Sequence, residues 1–267
     1  MNDRAWMSLR PDRARSLVDT RLQVHHAAQL ASAFGISYAE PAADDSHTNL
    51  EWMDGALVSR PLLGIRIALR VSSLTLDVAG RSFSLPGRTT LTATEWLRET
   101  LSTGGFDGAR YSLERHFELP AHPVADGAPF DASEGDLEEL SRWLANGALV
   151  LERLRAADPR ASEVRCWPHH FDIATLITVR PGQTIGVGLE PGDGYYAEPY
   201  FYVNLHPGPH ADALVGLPVG SGGWWHTRDW IGAVLPGSSL TLDQRGQESQ
   251  VAGFVERGIE AATALLG

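Results

Sequence analysis

The residues best suited to chemistry lie between positions 166 and 230 of the 267-residue chain. The first group is Trp167-Pro-His-His-Phe-Asp172, which brings two imidazoles and a carboxylate together. If this segment is a strand, His170 and Asp172 share one face and His169 lies on the other, among aromatic side chains. Asp172 could then orient an imidazole for general-base catalysis, or both could bind one cation. A polar sheet face with ordinary hydrogen bonds is the alternative.

His169 is the second candidate base in this group, because a shift of one residue in the strand register would exchange it with His170. A buried histidine bonded to a backbone carbonyl is the simpler interpretation of His169. Cys166 precedes this pair, but a cysteine on a buried strand is usually an inert core residue.

The second group is the alternating segment 196–205, which predicts a strand with one apolar face. Its other face is a row of hydroxyls with one carboxylate and one amide, which suits the wall of a polar pocket. An exposed strand or a subunit interface is the alternative, since tyrosine is enriched at interfaces. The polar row consists of Tyr196, Glu198, Tyr200, Tyr202 and Asn204.

The third group follows the glycine-rich segment 220–223. It contains Trp224, Trp225 and His226, and Thr227 is placed to cap a short helix. Such a loop could present an aromatic lid and an imidazole to a pocket, with Arg228 binding the substrate. A tryptophan pair that only packs against a helix is the alternative.

These groups together supply two histidines and a carboxylate, a set that zinc and iron both accept. The predicted ligands are His170, Glu198 and His226. No fixed local spacing links them, so the motif has low specificity.

The elements that must position these groups follow from hydrophobic periodicity. Helical patterns cover 15–34 (ending at Gly35), 93–103, 134–157 and 246–265, with a short helix after Thr227. Strand patterns cover parts of 49–85, 110–118, 163–178, 183–189 and 196–205. Ser133 and Asp136 form a capping-box pattern at the start of the third helix.

The predicted fold class is α+β, with two halves, related or independent, in which helices back antiparallel sheets. The halves are 1–118 and 134–267, joined by a proline-rich loop at 119–133. One compact domain is the alternative. A short similarity between 54–61 and 172–181 suggests that a helix, three strands and a helix occur twice. A ligand crevice is expected near the junction.

Composition excludes several classes of function. Lys+Arg of 22 against Asp+Glu of 33 gives a net charge of −11, which argues against nucleic-acid and membrane partners. Every basic residue is an arginine, so lysine Schiff-base chemistry and the lysine-containing phosphate loop are excluded. The N-terminus has no apolar leader pattern, and one cysteine cannot form an internal disulfide; a cytoplasmic protein is therefore expected.

The blocks Trp167–Asp172, Gly186–Asp193, Tyr196–Tyr200 and Trp225–Thr227 resemble those shared by a family of uncharacterised bacterial hypothetical proteins. The layout is also similar to a wider group of domains of unknown function. The resemblance covers most of the chain and implies where the site lies, but it implies no reaction. The segment 46–49 departs from the wider group, which leaves His47 without support as a site residue.

The leading hypothesis is a metal-dependent enzyme, hydrolytic in type, acting on a small polar or anionic molecule. Asp172, Glu198 and His169 are its candidate catalytic residues, and zinc or iron is its expected cofactor. One alternative is a non-catalytic protein that binds a small molecule in the same Tyr/Trp/His pocket. Others are a carboxylate-pair enzyme without metal and a domain whose aromatic face binds a partner subunit. Oligomeric state is not specified by the sequence. The predicted substrate contacts are Tyr196, Tyr200, Tyr202, Asn204, Trp224, Trp225 and Arg228.

Overall fold

The structure is a computed structural model that describes residues 5–214 and 217–266. Its architecture is α+β with antiparallel strands, which confirms the predicted class. The α-helices of these residues are α1 (Val18–Tyr38), α2 (Thr90–Thr103), α3 (Glu134–Ala157) and α4 (Gln244–Leu266). The strands are β1 (Leu50–Met53), β2 (Ala56–Ser59), β3 (Ile67–Arg70), β4 (Thr75–Val78), β5 (Arg81–Ser84), β6 (Arg165–Cys166), β7 (Ile173–Arg180), β8 (Gln183–Glu190), β9 (Tyr200–His206), β10 (Trp224–His226) and β11 (Gly232–Pro236).

Contacts divide the chain into two compact units that alternate along the sequence. The α1 unit comprises 18–141 and 165–171, and the α4 unit comprises the described parts of 1–17, 142–164 and 172–267. The sequence prediction instead divided the chain once, at 119–133, and that division into domains stays a prediction.

In the α1 unit, β1 to β5 form an antiparallel meander, and β6 pairs with β1 through Cys166 and Leu50. In the α4 unit the strand order is β7-β8-β9-β11-β10, again antiparallel. Five consecutive strands thus lie between two helices in each part of the chain, with β6 as an addition before β7. The predicted order had three strands in each place.

Several predicted elements differ from the structure. Residues 111–122 contain neither helix nor strand, so the strand predicted at 110–118 is wrong. The strand predicted over 163–178 is interrupted by a turn at 168–170, and the strand predicted from Tyr196 begins at Tyr200. No helix follows Thr227, because the chain there leads into β11.

Other predictions are confirmed. α3 begins after Ser133, whose hydroxyl accepts a hydrogen bond from the Asp136 backbone N–H at 3.2 Å, as the capping pattern predicts. α4 buries its apolar stripe, including Val251 and Phe254. The loop at 119–133 contains only one short 3-10 turn, Pro123–Asp126.

α1 differs from an ordinary amphipathic helix because it is buried on nearly all sides, polar residues included. Such residues need hydrogen-bond partners. Gln23 uses its whole amide: Oε1 accepts from the backbone N–H groups of Asp131 and Ala132 at 2.8 and 3.0 Å. Its Nε2 donates to the carboxylates of Asp19 and Asp131 at 2.8 and 2.7 Å. The chain segment around Asp131 is therefore held against α1 by hydrogen bonds from the Gln23 side chain.

Gly35 does not end α1, as predicted, but lies inside it, because the helix continues to Tyr38. A Cβ atom on Gly35 would lie 1.9 Å from the backbone oxygen of His47. The glycine therefore allows another part of the backbone to approach the helix closely.

We expect Gly35→Ala to destabilise the protein by about 3 kcal/mol, at the upper end for overpacking, because the helix and the His47 backbone must separate. Gly135→Ala is the matched control: Gly135 lies in the first turn of α3 with no atom within 4 Å of an added Cβ. Its effect should be a stabilisation of about 0.5–1 kcal/mol. Urea unfolding measures both, and equal free energies for the two variants would contradict this role of Gly35.

Candidate functional site

One face of the α4-unit sheet is polar and the other is apolar. Across β8 and β9, Gly186 lies opposite Asn204, Gly188 opposite Tyr202 and Glu190 opposite Tyr200. The alternate positions are buried apolar residues, including Val187, Leu189, Phe201, Val203 and Leu205. The predicted alternation is therefore correct from Tyr200 onward, whereas Tyr196 and Glu198 lie in the preceding loop.

The two glycines of β8 make room for this polar face. A Cβ atom on Gly188 would lie 2.5 Å from the phenol oxygen of Tyr202, and one on Gly186 would lie 2.1 Å from Oδ1 of Asn204. The side chains of β9 thus lie over the backbone of β8. A glycine in a strand interior often marks such a close approach.

Two phenols on this face are bound to carboxylates. Tyr202 donates to Oδ2 of Asp172 at 2.5 Å, and Tyr200 donates to Oδ2 of Asp193 at 2.9 Å. Burial raises the pKa of both phenols well above the ordinary value, and the charge of Glu190 raises both further. Both phenols therefore stay protonated near neutral pH and act as hydrogen-bond donors.

Asp193 also fixes the loop before β9. Its Oδ1 accepts the backbone N–H groups of Tyr195 and Tyr196, both at 2.8 Å. Its own backbone N–H donates to the Tyr196 carbonyl at 2.8 Å. One carboxylate thus sets the direction of two tyrosines and holds the phenol of a third.

The loop tyrosines belong to an aromatic cluster, which we define as Tyr195, Tyr196, Trp224, His226 and Trp230. The ring centroids of His226 and Trp230 are stacked at 4.4 Å. The Tyr195 ring lies 5.1 Å from His226, and the Tyr196 ring lies 6.3 Å from Trp224. Trp224 is 44% exposed and Tyr195 is 38% exposed, so the cluster presents aromatic surface to solvent.

His226 is held by both ring nitrogens. Nε2 lies 2.5 Å from the Arg228 carbonyl, which can only accept, so Nε2 carries the proton. Nδ1 then accepts from the Tyr196 phenol at 2.9 Å. The residue that was predicted to bind metal thus fixes the position of a tyrosine ring.

Glu198 is also held by protein groups. Its Oε1 accepts from Arg15 Nε and from the Ser238 hydroxyl, both at 2.9 Å, and Oε2 accepts from the Ser238 backbone N–H at 2.6 Å. Ser238 lies in the 3-10 turn Gly237–Ser239 after β11. The contacts of Glu198 tie the N-terminal segment to this turn, as a structural carboxylate does.

The three remaining predicted contacts have different positions. Trp225 donates its indole N–H to the Leu217 carbonyl at 3.0 Å, which anchors β10. The exposed Arg228 guanidinium lies 5.8 Å from the centre of the Tyr195 ring. Asn204 is partly buried on the polar face of β9. The tryptophans lie on a strand, so the predicted loop lid is wrong.

His169 and His170 belong to the α1 unit, in the turn that replaces the predicted strand. Their rings are 4.3 Å apart. His169 is partly buried between Trp167 and Phe117, and burial lowers its pKa, whereas His170 is exposed. His169 thus has the aromatic surroundings that strand alternation predicted, although a turn produces them.

Two residues of α1 hold this turn. The Nε2 atoms of His25 and Gln29 both donate to the Pro168 carbonyl at 2.8 Å. The His25 ring stacks on Phe171 at 4.9 Å, and Phe171 has a φ of 74°, which is unusual for a bulky residue. Burial is the largest cause that lowers the pKa of His25, to about 4, so its imidazole is neutral at pH 7.

The described residues contain no group of three or more His, Cys, Asp or Glu side chains that could hold a metal ion. The existing bonds of His226 and Glu198 likewise do not favour the predicted ligand set. Zinc or iron binding remains a prediction of the sequence.

Sequence reasoning missed Glu190, Asp193 and Asp229. Asp193 lies in a Pro-Gly-Asp-Gly segment, a turn signal that could have indicated its bonds to the following backbone. Glu190 shares the strand parity of Gly186 and Gly188, which could have placed it on the polar face. Asp229 accepts from the Tyr195 hydroxyl at 3.3 Å, a contact across 34 positions that no local pattern indicates.

Comparisons with protein families, curated proteins and solved structures find no match to this chain. Among the helices of the described residues, none has the length and apolar character needed to cross a membrane.

We expect Tyr202→Phe to lower the free energy of unfolding by about 1.5–3 kcal/mol, the range for a hydrogen bond to a charged group. The substitution removes the hydroxyl that donates to Asp172 and keeps the ring. Tyr195→Phe, which removes a longer bond at an exposed position, should change stability by less than about 0.5 kcal/mol. Urea unfolding at pH 7 tests the pair, and a Tyr202→Phe value no larger than the control would contradict the assigned bond.

We expect protein stability to fall as the pH is lowered from 6.5 to 4, partly because of His25. An unfolded histidine binds a proton near pH 6.5, whereas native His25 does so only near pH 4. The unfolded state therefore binds more protons in this window, which costs up to about 1.4 kcal/mol per pH unit. His25→Gln should reduce this slope in urea titrations, whereas His210→Gln, at an exposed position, should not. An unchanged slope in His25→Gln would show that the imidazole is not buried as a neutral group.

Proposed function

We propose that the protein binds a small carbohydrate, or a similar ring with several hydroxyl groups, at the aromatic cluster of the α4 unit. The observation that carries this proposal is the exposed pair Trp224 and Tyr195, next to rings that hydrogen bonds hold in place. A sugar ring has apolar C–H faces and a rim of hydroxyls. Aromatic surface suits the faces, and polar groups around it suit the rim.

The polar groups beside the aromatic surface are Asp229 and Arg228. Both are exposed; Asp229 accepts from the Tyr195 hydroxyl, and Arg228 lies over the Tyr195 ring. A carboxylate accepts hydrogen bonds from hydroxyl groups, and a guanidinium donates hydrogen bonds to hydroxyl oxygens. The two side chains can therefore bind sugar hydroxyls both as donors and as acceptors. Asp229 has a φ of 67°, a conformation that aspartate tolerates better than most residues.

Preorganisation also supports the proposal. Asp193 fixes the backbone of Tyr195 and Tyr196, and His226 fixes the Tyr196 phenol. Rings that are ordered before binding lose little conformational entropy when a ligand arrives. The polar face behind the loop, with Tyr200 bound to Asp193, supports the same arrangement.

A carboxylate-driven reaction on the bound molecule is a second candidate. Asp172 and Glu190 are both buried, and the charges of both raise the pKa of Tyr202, so both carboxylates lie near that phenol. Paired carboxylates with different surroundings are the usual acid and base of glycoside hydrolysis. Release of free sugar from a bound disaccharide would favour this candidate over simple binding.

The test is calorimetric titration with a panel of glucose, galactose, mannose, N-acetylglucosamine and their β-linked and α-linked disaccharides. We expect saturable binding of at least one sugar, and at least about tenfold weaker binding to Trp224→Ala, a loss of about 1.4 kcal/mol. Trp96→Ala is the matched control, because Trp96 is a partly buried tryptophan on α2, stacked on Phe83. It should bind as the unmodified protein does.

Each titration is repeated after treatment with a metal chelator, which should leave the affinity unchanged. Loss of binding on chelation, restored by zinc or iron, would favour the metal-dependent hypothesis instead. Absence of binding across the panel, or equal affinities for Trp224→Ala and Trp96→Ala, would contradict the proposal.

A further inference from the structure

A second group of polar residues lies in the α1 unit, where nitrogen-rich side chains meet in a largely buried region. His25 and His26 on α1 are 3% and 8% exposed. Their ring centroids are 6.4 Å apart, and the His26 ring lies 6.1 Å from that of His122 in the loop after α2. Arg115 lies in the same loop and is partly buried. The proposed sugar site uses none of these residues.

The imidazoles of this group are held by backbone carbonyls. His25 Nε2 donates to the Pro168 carbonyl at 2.8 Å, and His26 Nε2 donates to the Pro120 carbonyl at 2.9 Å. His122 is used on both nitrogens: Nδ1 accepts from the Val124 backbone N–H, and Nε2 donates to Asp19. The rings are therefore fixed in position. Burial lowers the pKa of His25 and His26, so both are neutral at pH 7.

Arg115 differs from these residues because its guanidinium is only partly used. Its Nη1 has a long bond, 3.4 Å, to the Leu113 carbonyl. Its Nε is buried and has no hydrogen-bond partner among the described residues. A buried donor of a charged group costs free energy until an acceptor reaches it. The positive charge also acts on both His25 and His26, so Arg115 lies within electrostatic range of both rings.

We propose that Arg115, in the loop whose Pro120 carbonyl accepts from His26, forms the binding site for an oxyanion, the phosphate or carboxylate group of a small molecule. The guanidinium presents parallel N–H donors whose spacing matches two oxygens of either group. An anion there would accept from Nε and offset a partly buried positive charge. It would also favour protonation of the neighbouring imidazoles, whose positive forms are disfavoured by burial and, to a lesser extent, by the charge of Arg115.

The proposal is independent of the sugar proposal, because the residues lie in the α1 unit and the probes are inorganic or simple organic anions. The experiment is titration with sodium phosphate and, separately, with sodium succinate at constant ionic strength. Proton–nitrogen NMR of the arginine Nε–H and histidine ring signals follows the binding. We expect saturable shifts at Arg115, His25 and His26. Tighter phosphate binding would identify a phosphoryl ligand, and tighter succinate binding a carboxylate ligand.

Substitutions at Arg115 distinguish the effect of its paired N–H donors from the effect of its positive charge alone. Arg115→Gln should weaken binding at least tenfold, and Arg115→Lys should have an intermediate affinity because it keeps the charge but loses the fork. Arg110→Gln is the matched control: Arg110 is exposed, donates to the Ser37 carbonyl at 3.1 Å and lies over Tyr38. It should bind as the unmodified protein does.

Circular dichroism first establishes that each variant is folded; if Arg115→Gln is not, Arg115→Lys against Arg110→Lys provides the comparison. The proposal is overturned if neither anion gives saturable shifts. Shifts that saturate equally in the Arg115 variants and in the Arg110 control would also overturn it.

Discussion

The hydrogen bond from the Tyr202 phenol to the Asp172 carboxylate, 2.5 Å long, sets the arrangement of the α4-unit sheet. A carboxylate buried to this extent needs a donor, and a phenol on the neighbouring strand supplies one. The Tyr202 ring can reach Asp172 only by crossing the backbone of β8. That path requires a glycine at position 188, because a Cβ atom there would overlap the ring. This polar contact thus accounts for Gly188 of β8 and for the tyrosine opposite it, whereas Gly186 makes room for Asn204.

The α1 unit follows a related constraint with different chemistry. Its central helix is buried on nearly all sides yet carries glutamine and histidine, so each of these residues needs a partner outside the helix. Backbone groups of the loops supply those partners, as Pro168 does for His25 and Gln29. Loops without regular secondary structure are thereby held against a helix. The polar residues of α1 thus position the loops and do not form a solvent-exposed face of the helix.

The sequence predicted the features that depend on local pattern. α3 has its capping box at Ser133, and the apolar face of β9 has the predicted residues, because both follow from neighbours a few positions apart. The pattern failed where distant contacts decide. Trp167–Phe171 has the composition of a strand, but bonds from α1 hold it as a turn; Gly35 resembles a helix end, but a backbone from elsewhere lies against it. The candidate site shows the same division: the tyrosines of β9 were predicted, whereas the roles of Glu198 and His226 depend on Arg15, Ser238 and Arg228.

We propose the aromatic cluster of the α4 unit as a surface for ligands with a sugar-like ring. The most direct measurement is a crystal structure of the protein grown with the saccharide that binds most tightly. We expect a sugar ring stacked on Trp224 or Tyr195, with a hydroxyl within hydrogen-bond distance of Asp229 or Arg228. A saccharide bound elsewhere on the protein, with no ligand at the cluster, would contradict it.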